Sequence, residues 1–341
     1  MDTVQQRFSP TGVSLKKASV YPFAAKVALA LVSVGIAAGL GEAALRFWFC
    51  DELILWEDER SLMYRYDASL GWFPIPGSQC VFKASRPISV VNNSRGFRAP
   101  EPIPSEKPVI AFIGDSFVWG YDVEAAERFT DKLQAKHPEW NVCNLGVSGY
   151  GTDQELLLLQ QVFDTYKPRV VFLMFCVETD NFDNSLNSRY NGFYKPYFTV
   201  VGDELQLCGV PVPRSARVFF AEHRQLTRSY LIRLFVRAYF KVTTPPELRN
   251  PDPTEAILRR LKAYVESKGA LLLLGSTTNI RSQPHEAFLE ECHIPHIDVT
   301  TPLRYPRNGI HWTPDGHSFV CDKIDEFLLR GKYMERRPPP P

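Results

Sequence analysis

Between residues 108 and 299 the chain alternates short, uninterrupted apolar runs with stretches of helical period. The runs lie at 108–113, 141–146, 168–176, 270–276 and 294–299, and helical patterns fall at about 123–136, 153–165 and 254–268. A strand with one wet face alternates apolar and polar residues, whereas PRVVFLMFC at 168–176 is apolar almost throughout. Such runs are buried on both faces, which requires a parallel sheet covered by helices and joined by right-handed crossovers. The predicted fold class is therefore α/β, with three layers.

Other segments are appended to this unit. Residues 22–49 are apolar apart from Lys26, Glu42 and Arg46. Only Val27 to Gly41 is strictly uncharged, short of the roughly 20 apolar residues of a spanning helix. Lys26 can snorkel, Glu42 and Arg46 can pair at i, i+4, and Phe47, Trp48 and Phe49 suit an interface, so the segment reads as a transmembrane anchor. A cleaved signal with a long n-region and a surface helix are the alternatives. Arg7, Lys16, Lys17 and Lys26 precede the anchor and five acidic residues at 51–59 follow it. That asymmetry puts residues 1–21 in the cytoplasm and the main domain in the periplasm or outside the cell.

Residues 50–107, rich in turn formers, read as an irregular lead-in packed on the main domain, which runs over 108–330. An insertion at 185–250 interrupts it where a lid would sit. Within it, 194–213 predicts a hairpin turning at Val201 to Glu204. Residues 215–240 predict a packed helix with a solvated basic face, in preference to a second membrane contact. The tail at 331–341, ending RRPPPP, predicts disorder.

With 39 basic and 38 acidic residues well mixed, the chain offers no field for a phosphate backbone, and nucleic acid is not an expected partner. The seven cysteines include no C-x-x-C pair and read mostly as buried thiols, with a Cys80–Cys208 disulfide as an open alternative. ECHIPHID at 291–298 carries Cys292, His293, His296 and Asp298, but no second ligand pair occurs elsewhere, so no metal is expected. GVSGYG at 146–151 is G-x-x-G-x-G rather than the dinucleotide fingerprint, and no cofactor is expected.

In an open parallel sheet ligands bind beyond the carboxyl ends of the strands. The residues there are Gly114, Asp115 and Ser116, then Asn144, Gly146, Gly149 and Gly151, then Glu178, Thr179, Asp180 and Asn181, and finally RYPRNGIHWTPDGH at 304–317. A serine, amides that can approach a ligand and a histidine make up the inventory of acyl transfer. Ser116 alone is equally a helix cap, and His317, followed by an apolar helix, reads as a buried structural residue rather than the base.

GDSF, NLGVSGYG, ETDNFDN and NGIHWTPDGH occur in the order and spacing of the conserved blocks of the SGNH (GDSL-type) hydrolases. The chain resembles a membrane-anchored bacterial member, over about 108–330. The resemblance implies a flavodoxin-like α/β/α domain that hydrolyses or transfers ester-linked acyl groups, with an acylated small molecule or carbohydrate as substrate. It implies Ser116 as nucleophile, His311 as general base, and the backbone amides of Ser116 and Gly149 as oxyanion donors, with Asp115 and Asp180 in support. Two positions depart from the family pattern. Thr179 stands at the asparagine of the oxyanion hole, where Asn181 or Asn184 could substitute, and Asn308 stands at the aspartate three residues before the histidine. The expected activity is a serine esterase or deacylase; the alternatives are an O-acyltransferase and a weak or inactive carbohydrate-binding module.

Overall fold

Successive side chains of a strand point to opposite faces, and in this sheet both faces are apolar. In the computed structural model, which describes residues 23–48, 53, 63–102, 106–190, 192–278, 285–306 and 311–335, each face meets its own pair of helices. The N-terminal helix α1 (Phe23–Trp48) is followed by two antiparallel hairpins, β1 (Tyr64–Asp67) with β2 (Gly71–Pro74), and β3 (Gln79–Lys83) with β4 (Pro87–Val91). Then come β5 (Val109–Gly114), α2 (Ser116–Trp119), α3 (Phe129–Lys136), β6 (Asn141–Asn144), α4 (Thr152–Tyr166) and β7 (Val170–Phe175). The insertion begins after α5 (Asp180–Asn184) and holds β8 (Ser188–Arg189), β9 (Phe193–Tyr194), β10 (Tyr197–Val201), β11 (Glu204–Cys208), α6 (Ala216–Glu222) and α7 (Tyr230–Thr243). The chain returns through α8 (Thr254–Ser267), β12 (Leu271–Ser276), α9 (His285–Glu291), β13 (His296–Asp298) and α10 (Pro314–Gly331).

The central sheet is parallel throughout, in the order β13-β12-β7-β5-β6. Ile110 pairs with both Val142 and Val170, and Val170 with Leu271. Numbered along the chain, these five strands run 2-1-3-4-5, the flavodoxin-like order. Ala111, Ile113, Val171, Leu173, Leu272 and Leu274 share a core with Leu156, Leu159, Ile257 and Leu261 of α4 and α8. Their neighbours Ile110, Phe112, Val170, Phe172 and Leu273 share the other core with α3 and α10. The architecture is α/β/α, as the uninterrupted apolar runs require.

The lead-in is more regular than expected. Its turn formers close two hairpins, the first by Asp67, whose Oδ1 accepts from the amides of Ser69 and Leu70 at 2.8 and 2.9 Å. Trp72, Phe82, Ile88, Val90 and Phe97 are buried in the main core, so the lead-in packs on the sheet domain. The helix expected from about 123 begins at Phe129, because Asp122 takes a left-handed turn and its carboxylate accepts from Ser85 N and Oγ, both at 2.8 Å. The hairpin turning at Val201 to Glu204 is present.

The 215–240 helix splits into α6 and α7, and its outward face is not simply basic: Leu234, Phe235, Tyr239 and Val242 are exposed with Arg237 and Lys241. Cys80 and Cys208 are free thiols rather than a disulfide, and of the described cysteines only Cys176 and Cys321 are fully buried. Helix α1 is long and apolar enough to cross a membrane. The tail expected to be disordered from 331 is ordered as far as 335: Gly331 ends α10, and Met334 is buried with its carbonyl accepting from Arg169 Nη1 at 2.6 Å. The expectations for residues 1–21, the tail from 336 and Asn308 lie outside the described residues.

Candidate active site

The topological switch of a 2-1-3-4-5 sheet lies where the first strand along the chain meets the third, and β5 and β7 are those neighbours. Chain leaving β5 enters α2 at once. Asp115 caps it, its Oδ1 accepting from Phe117 N at 2.9 Å, and Ser116 is the first helical residue. Gly114 permits this tight exit, since a Cβ there would stand 2.4 Å from Val118 Cγ2 and its φ is +158°. The N–H of Ser116 has no intrahelical acceptor, being in the first turn.

His311 arrives from the far end of the chain. It precedes Trp312 and Thr313, whose Oγ1 caps α10 by accepting from Gly316 N at 3.2 Å. Phe117 and Trp312, the residues after Ser116 and His311, are both buried with ring centroids 4.6 Å apart. Packing these neighbours brings the half-buried pair together, with His311 Nε2 2.8 Å from Ser116 Oγ. Tyr121 stacks on the imidazole at 4.1 Å and 21°, and the backbone N–H of Tyr305 donates to His311 O at 2.9 Å. Tyr121 could not be foreseen, because it lies five residues from Ser116 with no motif of its own.

The loop after β6 closes over the same edge. Gly146 lets it approach α2, where a Cβ would meet Trp119 N at 2.5 Å. Asn144 ties the two together, donating to Val118 O at 2.6 Å and Thr130 Oγ1 at 2.9 Å and accepting from Gly146 N. Gly149 adopts φ +83°, and among the described residues no backbone carbonyl accepts its N–H. The rival serine, Ser148, is buried, its carbonyl accepting from Trp72 Nε1 and its N–H donating to Tyr64 Oη.

Thr179 is half-buried at the start of α5, and its own N–H is spent on Cys176 O at 3.0 Å. Asn181 faces His285, Oδ1 to Nε2 at 3.0 Å. Asn184 is consumed structurally, accepting from Asp153 N and donating to Thr254 Oγ1. Asp180 lies beneath, accepting from Cys176 N at 2.8 Å. Thr277 and Arg304 complete one rim: both bind Glu178, at 2.6 and 2.8 Å, and the Arg304 guanidinium lies 5.4 Å from the Phe117 ring centroid.

Behind the serine, burial shifts several titrations. It raises Asp115 to about 6 against the opposing Phe117 amide bond, and it raises Asp180 and Glu155 well above the carboxylate range, with repulsion from Asp115 adding to the effect on Asp180 and repulsion from Asp180 to that on Glu155. Among the described residues neither oxygen of Glu155 has a hydrogen-bond partner. His317 is buried, accepts from Phe129 N at 3.3 Å and is lowered by burial to about 3, which leaves it neutral. His293 and His296 each meet a nearby backbone carbonyl, Glu290 O at 2.8 Å and Ile294 O at 3.0 Å. A cavity of about 1270 Å³ opens at the strand starts, lined by Pro108, Asn141 and Lys167 among others, and contains neither Ser116 nor His311.

No family model and no curated protein matches this sequence. Among solved structures, the chain is similar to a lipolytic protein of the G-D-S-L family from Veillonella parvula, at 15% identity and TM-score 0.39, over 66% of this chain and 100% of that one. It is similar to a psychrotrophic esterase from Pseudoalteromonas at 11% identity and TM-score 0.39, over 66% and 99% of the two chains. A third is a two-domain esterase active on acetylated mannans, at 14% identity and TM-score 0.38, over 69% of this chain and 51% of that one.

Proposed function

We propose that this chain is a membrane-anchored, extracytoplasmic serine esterase or deacylase that cleaves an ester-linked acyl group. One observation carries the reading: the 2.8 Å approach of His311 Nε2 to Ser116 Oγ at the switch point of the sheet. Ser116 Oγ attacks the ester carbonyl while His311 Nε2 takes its proton. The oxyanion is held by the amides of Ser116 and Gly149. Collapse breaks the C–O bond, and the departing alkoxide takes the proton from His311, leaving an acyl-serine. Water then attacks the acyl-serine, giving its proton to His311, and the acid leaves as Ser116 Oγ is reprotonated. A carbohydrate ester of the cell envelope is the proposed substrate class, in keeping with the proposed anchored location and with the resemblance to the SGNH hydrolases.

The test treats the purified full-length chain with a fluorophosphonate probe and a short-chain aryl ester. Labelling and turnover are expected in the parent and absent from Ser116→Ala. Labelling that survives this substitution overturns the assignment of the nucleophile.

A further inference from the structure

Helix α7 carries an apolar face that the protein leaves uncovered. Its sequence, YLIRLFVRAYFKVT, turns Ile232, Val236 and Phe240 inward, with Phe240 and Phe219 of α6 at 6.2 Å between centroids. At 100° per residue, Leu234, Phe235, Tyr239 and Val242 fall on another arc. They are 42, 69, 62 and 85% exposed. The arc is bordered by Arg237 and Lys241, both exposed. Aromatic and aliphatic residues on one side with cations beside them are the composition of a helix lying in a membrane interface.

What covers this face is indicated by the helix at its beginning. The Glu42 carboxylate of α1 accepts from Ser229 Oγ at 2.8 Å and from the amides of Tyr230 and Leu231, both at 3.0 Å, and so caps α7. Arg46 binds Glu42 at 2.8 Å and Arg228 O at 3.0 Å and lies 4.9 Å from the Tyr230 ring centroid. Leu231, on the same side as the uncovered arc, abuts Gly41, where a Cβ would lie 3.5 Å from Leu231 Cδ2. Glu42 is the first charged residue after the uncharged stretch Val27–Gly41, so in a spanning α1 it marks the exit from the hydrocarbon. The start of α7 is thereby fixed at the depth where an interfacial helix lies.

We propose that α7 is a second membrane contact, lying in the interface of the leaflet from which α1 emerges, with Phe235, Tyr239 and Val242 in the acyl boundary and Arg237 and Lys241 among headgroups. The inference rests on α1 spanning the bilayer, and the test reads that separately. Full-length chains carrying Val242→Cys, Glu326→Cys or Ile36→Cys are labelled with an environment-sensitive fluorophore and reconstituted in phosphatidylethanolamine–phosphatidylglycerol vesicles, with the parent chain correcting for native thiols. All three positions are exposed, which keeps the label off the packed core.

Lipids bearing a quencher in the acyl chain are expected to quench the label at 242 several-fold more than that at 326, with a blue-shifted emission, and to quench the label at 36 as well. A label at 242 reached by iodide as readily as the one at 326, while 36 is lipid-quenched, overturns the interfacial helix and leaves the anchor intact. A label at 36 untouched by lipid overturns the anchor and the proposal with it. Protection of 242 from both lipid and iodide means that protein, such as a second copy of the chain, covers the face, and it also overturns the proposal.

Discussion

Asn308 precedes His311 by three residues, where the resemblance to the SGNH hydrolases implies an aspartate that would orient the imidazole and stabilise it once protonated. An asparagine accepts through its amide oxygen but supplies no charge. Asn308→Asp is therefore expected to raise kcat on an aryl ester at least tenfold. The ceiling is the roughly 10⁴-fold cost of the opposite change in a serine protease. An unchanged or lower rate in folded protein means that another group orients His311. At this scale the sequence was informative wherever chemistry and backbone geometry select the same residue, as at Gly114, Ser116 and His311. It was silent on Tyr121 and Thr277, and it placed Glu178 and Arg304 at the strand ends without pairing them, because these contacts join residues far apart in the chain and any aromatic or polar residue would read the same in isolation.

The hairpin β1–β2 holds the loop that carries Gly149. Trp72 donates to Ser148 O at 3.3 Å and stands edge-on to Tyr150 at 5.7 Å, while Tyr150 Oη donates to Trp72 O at 2.5 Å. Trp72→Ala is expected to cost about 3–5 kcal/mol, read as a lower denaturant midpoint with unchanged slope. Turnover by the remaining folded protein is expected to fall as well, since the 146–151 loop loses its clamp; full turnover per folded molecule would mean that the loop keeps its place without Trp72. The sheet strands were legible as elements because continuous apolar runs have one reading beside helices. The lead-in hairpins were not, because strands of four or five residues such as QCVFK and PISVV span barely two periods and lie among prolines and glycines.

For the molecule as a whole, the buried acids beneath the site make stability depend on pH in a definite direction. Glu155 titrates higher in the folded chain than in the unfolded one, so between the two values the folded state binds more protons and its stability falls as pH rises. Glu155→Gln removes that slope. The gap in melting temperature between variant and parent is expected to be smallest near pH 4 and to widen in the variant's favour towards pH 8. A constant gap would mean that Glu155 has the same proton affinity folded and unfolded. This cluster is visible only after folding, since Asp115, Glu155 and Asp180 come from three separate segments. The clasp of Glu42 and Arg46 on α7 bears on a different property, the volume of space the cleft can search. A domain on a single flexible stalk sweeps a hemisphere, and its local substrate concentration is diluted accordingly. With α1 across the bilayer and α7 in its interface, as proposed, a domain about 50 Å across would keep its cleft at one height and one tilt above the bilayer and would move chiefly by lateral diffusion. The substrates of such an esterase would be esters confined to that thin shell, met at a rate set by surface density rather than by bulk concentration.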